Sequence, residues 1–83
     1  MVVEYPTNPN SVPLTSLNEN TIYIIPDDDF SLGGSINFEK CVAFISIDGT
    51  ATIHTPDRSA YLILHSYAGI IDNINFDGLT SIG

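Results

Sequence analysis

The sequence predicts an all-β chain of about three stacked, parallel β coils, residues 21–83, behind a Pro- and Asn-rich lead-in or N-terminal cap, residues 1–20. Three observations carry this. Ile leads the 43% apolar fraction, with Val, Thr, Tyr and Phe behind it, and these side chains fit a pleated, half-buried surface. No window carries the 3.6-residue period of an amphipathic helix. Short apolar runs recur at a spacing of about 20 residues, the mark of a solenoid whose units bury their faces only on one another.

In the lead-in, Pro6, Pro9 and Pro13 sit among Asn8, Asn10, Asn18 and Asn20. Proline fixes φ and removes a backbone donor, so this stretch is extended or looping. Val2, Val3 and Tyr5 suit a short edge strand, and Val12, Leu14 and Leu17 are placed to cover one end of a core. An uncovered end of stacked strands is a template for aggregation.

From Thr21 the chain alternates strand and turn. Thr21–Ile25 is β-rich and stops at Pro26 and three aspartates; Phe30–Leu32 runs into Gly33-Gly34; Ser35–Phe38 alternates. Cys41–Ile47 is largely apolar and ends at Asp48-Gly49; Thr50–Thr55 centres on Ile53 and stops at Pro56-Asp57. Tyr61–Leu64 is apolar, and Ile70–Phe76 closes on Asp77-Gly78. Gly, Pro, Asn and Asp at these breaks are strong turn signals. Two series repeat: the openings Ile22–Ile25, Val42–Ile45 and Leu62–Leu64, and the central isoleucines 36, 53 and 74.

Taken together, "Thr-Ile-Tyr-Ile-Ile-Pro", "Gly-Gly-Ser-Ile-Asn-Phe", "Ile-Ser-Ile-Asp-Gly-Thr-Ala-Thr-Ile" and "Ile-Ile-Asp-Asn-Ile-Asn-Phe-Asp-Gly" resemble right-handed parallel β-helix proteins of the pectin-lyase-like kind, over residues 20–78. These motifs report coil geometry and not chemistry. The resemblance implies a rod, usually of more rungs than this chain supplies. The competing architecture is a small antiparallel sandwich or barrel, which turn signals every 8–12 residues also fit.

Charge narrows the partners. Ten acidic residues face only Lys40 and Arg58, a net charge of −8. Non-specific nucleic-acid binding needs cations that neutralise phosphates, so nucleic acid is excluded as a conventional ligand. Acidic surfaces suit solubility, divalent cations or a basic partner. No run approaches the ~18 apolar residues of a membrane span, and no secretion signal opens the sequence. Cys41, the only cysteine, sits in an apolar run where a thiol behaves as a small hydrophobe.

Candidate sites are few. Asp27, Asp28 and Asp29 offer hard oxygens at a turn, as calcium requires, and equally look like a solvated corner. Tyr23, Tyr61 and Tyr67 are candidates to stack on sugars. Asn37, Asn73 and Asn75 suit either sugar recognition or an amide ladder between rungs. Asp57 and Asp77 would stack in a coil of this period, as an acid pair for glycoside cleavage does; both are also natural turn residues. Lyases of the resembled fold use calcium with a basic residue, and Arg58 stands alone. His54 and His65 read as strand-face residues. No Gly-rich phosphate loop, Ser-His-Asp arrangement or Cys-rich metal site appears.

The expectation is therefore a non-catalytic structural or adhesive module of a larger β-helix protein, outside a bacterial cell or on a virion. Its partners would be further rungs, a second copy, or glycans. Two alternatives stand: the first segment of a polysaccharide lyase or hydrolase, and an acidic inhibitor of a basic protein.

Overall fold

The computed structural model describes residues 1–55 and 61–82. Ten short strands follow one another: β1 (Val2–Glu4), β2 (Thr21–Ile24), β3 (Asp29–Ser31), β4 (Ile36–Asn37), β5 (Ala43–Ile45), β6 (Ala51–His54), β7 (Tyr61–Ile63), β8 (Ile70–Asp72), β9 (Ile74–Asp77) and β10 (Thr80–Ile82). They form three sheets, ordered β1-β2-β5-β8, β3-β6-β9 and β4-β7-β10. Every strand pair is parallel. The chain is thus a β-solenoid of about three turns, each turn giving one strand to each sheet, and the antiparallel sandwich is excluded.

Strand alternation builds the core. On the first sheet Tyr23, Phe44 and Ile71 share a register row pointing inward. On the second, Phe30, Ile53 and Phe76 do the same, and on the third Ile36 meets Leu62. Tyr23, Phe44, Ile53 and Ile36 are fully buried. Phe38, at the corner after β4, packs edge-on to Phe44 and Phe76, with ring centroids 5.3 and 6.0 Å away. One ring thereby ties the first turn to the third.

The repeat is less regular than the sequence suggests. Ile36, Ile53 and Ile74 do not form one ladder: Ile36 lies on the third sheet, Ile53 beside Phe30 and Phe76, and Ile74 beside Ala51. The first-sheet counterpart of Ile22 and Ala43 is Ile70, whereas Leu62 stacks on Ile36. Corners of unequal length cause this. The bend between the first two sheets takes several residues in the first two turns but only Asn73 in the third. Asn73 has φ 57°, a left-handed conformation that Asn tolerates better than most residues. Its side-chain amide donates to the Ser46 carbonyl at 2.8 Å.

Residues 1–20 retrace one incomplete turn above the first. β1 pairs with β2 in register. A 3-10 turn at Pro9–Ser11 follows, capped by Asn8, whose side chain accepts the Asn10 N–H. The Asn10 amide then donates to the Ser31 carbonyl on β3. The Asn37 N–H of β4 donates to Leu14 at 2.8 Å, and its carbonyl accepts from Leu17 at 3.4 Å. Leu17 is fully buried beneath this strap, with Val12 and Leu14 partly so.

Candidate binding surfaces

The two ends of the solenoid differ. At the N-terminal end, the free edges of β3 and β4 are bonded by Asn10, Leu14 and Leu17, and β1 adds a strand to the first sheet. At the C-terminal end, β8, β9 and β10 each pair on one side only. Ile71, Ile74, Phe76 and Leu79 pack on the core there but are only partly buried. One end is covered over β3 and β4, leaving β1 as its strand edge; the other presents three strand edges around an apolar section.

The three consecutive aspartates do not converge. Asp27, although exposed, accepts the Ser46 hydroxyl. Asp28 accepts the Asp29 N–H at 2.8 Å, and Asp29 starts β3 with its side chain exposed. Among the described residues no three His, Cys, Asp or Glu side chains gather as metal ligands. At this corner the three carboxylates take separate partners or solvent and share no common point.

The tyrosines are dispersed too. Tyr23 is fully buried, and its hydroxyl accepts the Asn18 N–H at 2.8 Å. Burial raises its pKa, and no ring face is left for a sugar. Tyr67 is partly buried, with its hydroxyl 3.4 Å from the Cys41 sulfur. Burial holds both the thiol and the phenol above their usual pKa, so Cys41 is a protonated core residue. Tyr61 alone is exposed, on β7. A platform of three tyrosines is not formed.

The amide ladder is likewise absent. Asn37 accepts the Glu39 N–H, Asn73 caps a corner, and Asn75 lies outside beside Thr52. Asp57 and Arg58 lie outside the described residues. Asp77 stands opposite His54, with Nδ1 3.3 Å from its carboxylate. His65 Nδ1 lies 2.7 Å from Glu39, and that hydrogen bond lowers the Glu39 pKa. Each histidine links one turn to the next.

The register also brings together residues that linear reading keeps apart. Ser31, His54 and Asp77 occupy one outward row of the second sheet, on three successive turns. With Asp29, Phe30 and Thr52 they line a shallow cleft. His54 is paired to Asp77, and Ser31 makes no hydrogen bond to the ring, so the row lacks the nucleophile–base contact of an acyl-transfer triad. Their equal spacing, 23 residues from Ser31 to His54 and 23 from His54 to Asp77, was the available signal, hidden by a period counted as about 20. A second cleft lies where β1 passes the first corner, lined by Tyr5, Pro6, Ile24, Ile47, Asp27 and Asp48 among others.

Comparison with protein-family models, curated proteins and solved structures finds no match for this chain. No helix among the described residues is long and apolar enough to cross a membrane.

Proposed function

We propose that this chain is a structural module that starts or extends a β-solenoid rod by stacking further rungs on its C-terminal end. The observation that carries this is the contrast between ends: the strap of residues 5–17 covers two of the three sheets at one, while β8, β9 and β10 leave three parallel edges unpaired at the other. Unpaired edges around apolar side chains are normally covered in native proteins. The cover is a β-rung, from further sequence of the same protein or from a second copy. A rod of this kind, pectin-lyase-like in its coils, suits display outside a cell or virion. A scaffold needs no chemistry of its own.

Light scattering behind size exclusion tests the reading. The 83-residue chain is expected to associate as its concentration rises, and Ile74→Lys, at the open end, to abolish this with the circular dichroism unchanged. A monomer at every concentration contradicts the proposal.

A further inference from the structure

The outer face of the first sheet is apolar where a solvated solenoid face would be polar. Val3, Ile22, Ala43 and Ile70 lie in one register row across all four strands. Ile24 and Ile45 form the next row, which ends at Asp72. None of these six apolar residues belongs to the core cluster or packs against it, so they face away from it. The second sheet, by contrast, points Asp29, Ser31, Thr52, His54, Asn75 and Asp77 outward.

Exposure is concentrated at the same sheet. Among the described residues, the exposed large apolar side chains are Met1, Val2, Val3, Tyr5, Ile47, Tyr61 and Ile70. All but Tyr61 lie on or next to the first sheet. Ala43, 5% exposed, makes a shallow trough between Ile22 and Ile70. The cleft at Tyr5, Ile24 and Ile47 continues the face around its edge. Carboxylates follow that edge on successive turns: Asp27 after β2, Asp48 after β5 and Asp72 on β8.

We infer that this face docks a cationic, aliphatic-rich segment of another protein. Its apolar side chains would lie along the Ile22–Ala43–Ile70 trough, and its Lys or Arg side chains would reach Asp27, Asp48 and Asp72. Area argues against a second copy on this face. Four strands of three or four residues span roughly 200–250 Å², well below the ~800 Å² per partner of a standard stable interface. An apolar centre with an acidic margin instead complements a basic partner, with the charges setting specificity and association rate. The inference rests on the outer face alone and is independent of stacking at the open end.

The test uses two synthetic peptides, one of Leu and Lys and one of Leu and Glu, titrated against the 83-residue chain by fluorescence anisotropy. The Leu/Lys peptide is expected to bind and to weaken with added salt, and the Leu/Glu peptide not to bind. Ile70→Lys, at a site 60% exposed, should weaken Leu/Lys binding by about tenfold or more. Thr52→Lys adds the same charge to the second sheet and should change it by less than about twofold. Ala43→Arg provides a second block of the trough. Ile74→Lys, which disables the open end, should leave peptide binding intact. Equal losses in Ile70→Lys and Thr52→Lys would mean attraction by net charge alone and overturn the inference, as would no binding or equal binding of both peptides. Wild-type dimers broken by Ile70→Lys would make a second copy the occupant and overturn it too.

Discussion

Replacing Phe38 is the sharpest probe of how the turns hold together. Its ring is fully buried and meets three others: Phe44 from the second turn, Tyr67 from the corner after it, and Phe76 from the third. Truncation of a buried Phe to Ala typically costs about 3–5 kcal/mol, from lost transfer energy and the cavity left behind. Two of its contacts are edge-on, a geometry that adds about 0.5–1.5 kcal/mol each beyond area. At roughly 0.05–0.15 kcal/mol per residue, a chain of 83 residues has a total stability of about 4–12 kcal/mol. Phe38→Ala is therefore expected to leave the chain at the edge of unfolding at room temperature. Phe38→Leu keeps more of the volume but loses both edge-on ring contacts, and should cost about 1–3 kcal/mol. Urea unfolding followed by circular dichroism measures both. An Ala variant within about 1 kcal/mol of wild type would refute the packing argument, because a ring bridging three turns cannot be removed at surface cost.

Three further predictions concern the cap, a corner and a cross-turn pair. Leu17→Asp puts a carboxylate under the strap; burying an unpaired charge there should detach residues 1–20, seen as loss of amide-exchange protection in β3 and β4 before β5 and β6. Gly69→Ala would push a methyl group into the Tyr67 ring and the Val42 carbonyl, costing about 1–3 kcal/mol and breaking the Tyr67–Cys41 contact, which a thermal melt would register. The Glu39 carboxyl, held below its usual pKa chiefly by His65, contributes stability above its unfolded pKa that is lost as pH falls through the folded value. Wild type should therefore lose more Tm between neutral and acid pH than His65→Ala does, and parallel losses would contradict the pairing.

Much of the architecture was legible because composition and turn chemistry agreed. Ile, Val and Thr runs stopped by Pro-Asp, Gly-Gly and Asp-Gly fall at the observed strands to within a residue or two, and Leu17 reads as a cap because an apolar residue in a polar lead-in needs a core. Register was harder. A similar tetrapeptide at Ser35–Phe38 and Asn73–Phe76 suggests one ladder, yet the two lie on different sheets, because a period counted along the chain assumes equal corners. The corner at Asn73 is one residue long, splits the apparent strand Ile70–Phe76 in two, and moves everything after it. Site residues failed for the same reason. Tyr23 looks surface-ready by type, but its place in the inward row is fixed by its neighbours, while the outward row of Ser31, His54 and Asp77 repeats every 23 residues and is missed by a period counted as about 20.

Cross-linking tests that register most directly. Ser31 and His54 are partners on adjacent strands, and such Cα atoms lie about 4.8 Å apart, within the range of roughly 4.4–6.8 Å that a disulfide spans. The variant carrying Ser31→Cys and His54→Cys, with Cys41→Ala to remove the native thiol, is to be oxidised at low concentration and mapped by peptide mass spectrometry. The parallel solenoid predicts an intrachain bond between positions 31 and 54 in folded protein. Free thiols at both positions, or bonds only between chains, would contradict the stacking on which the account rests.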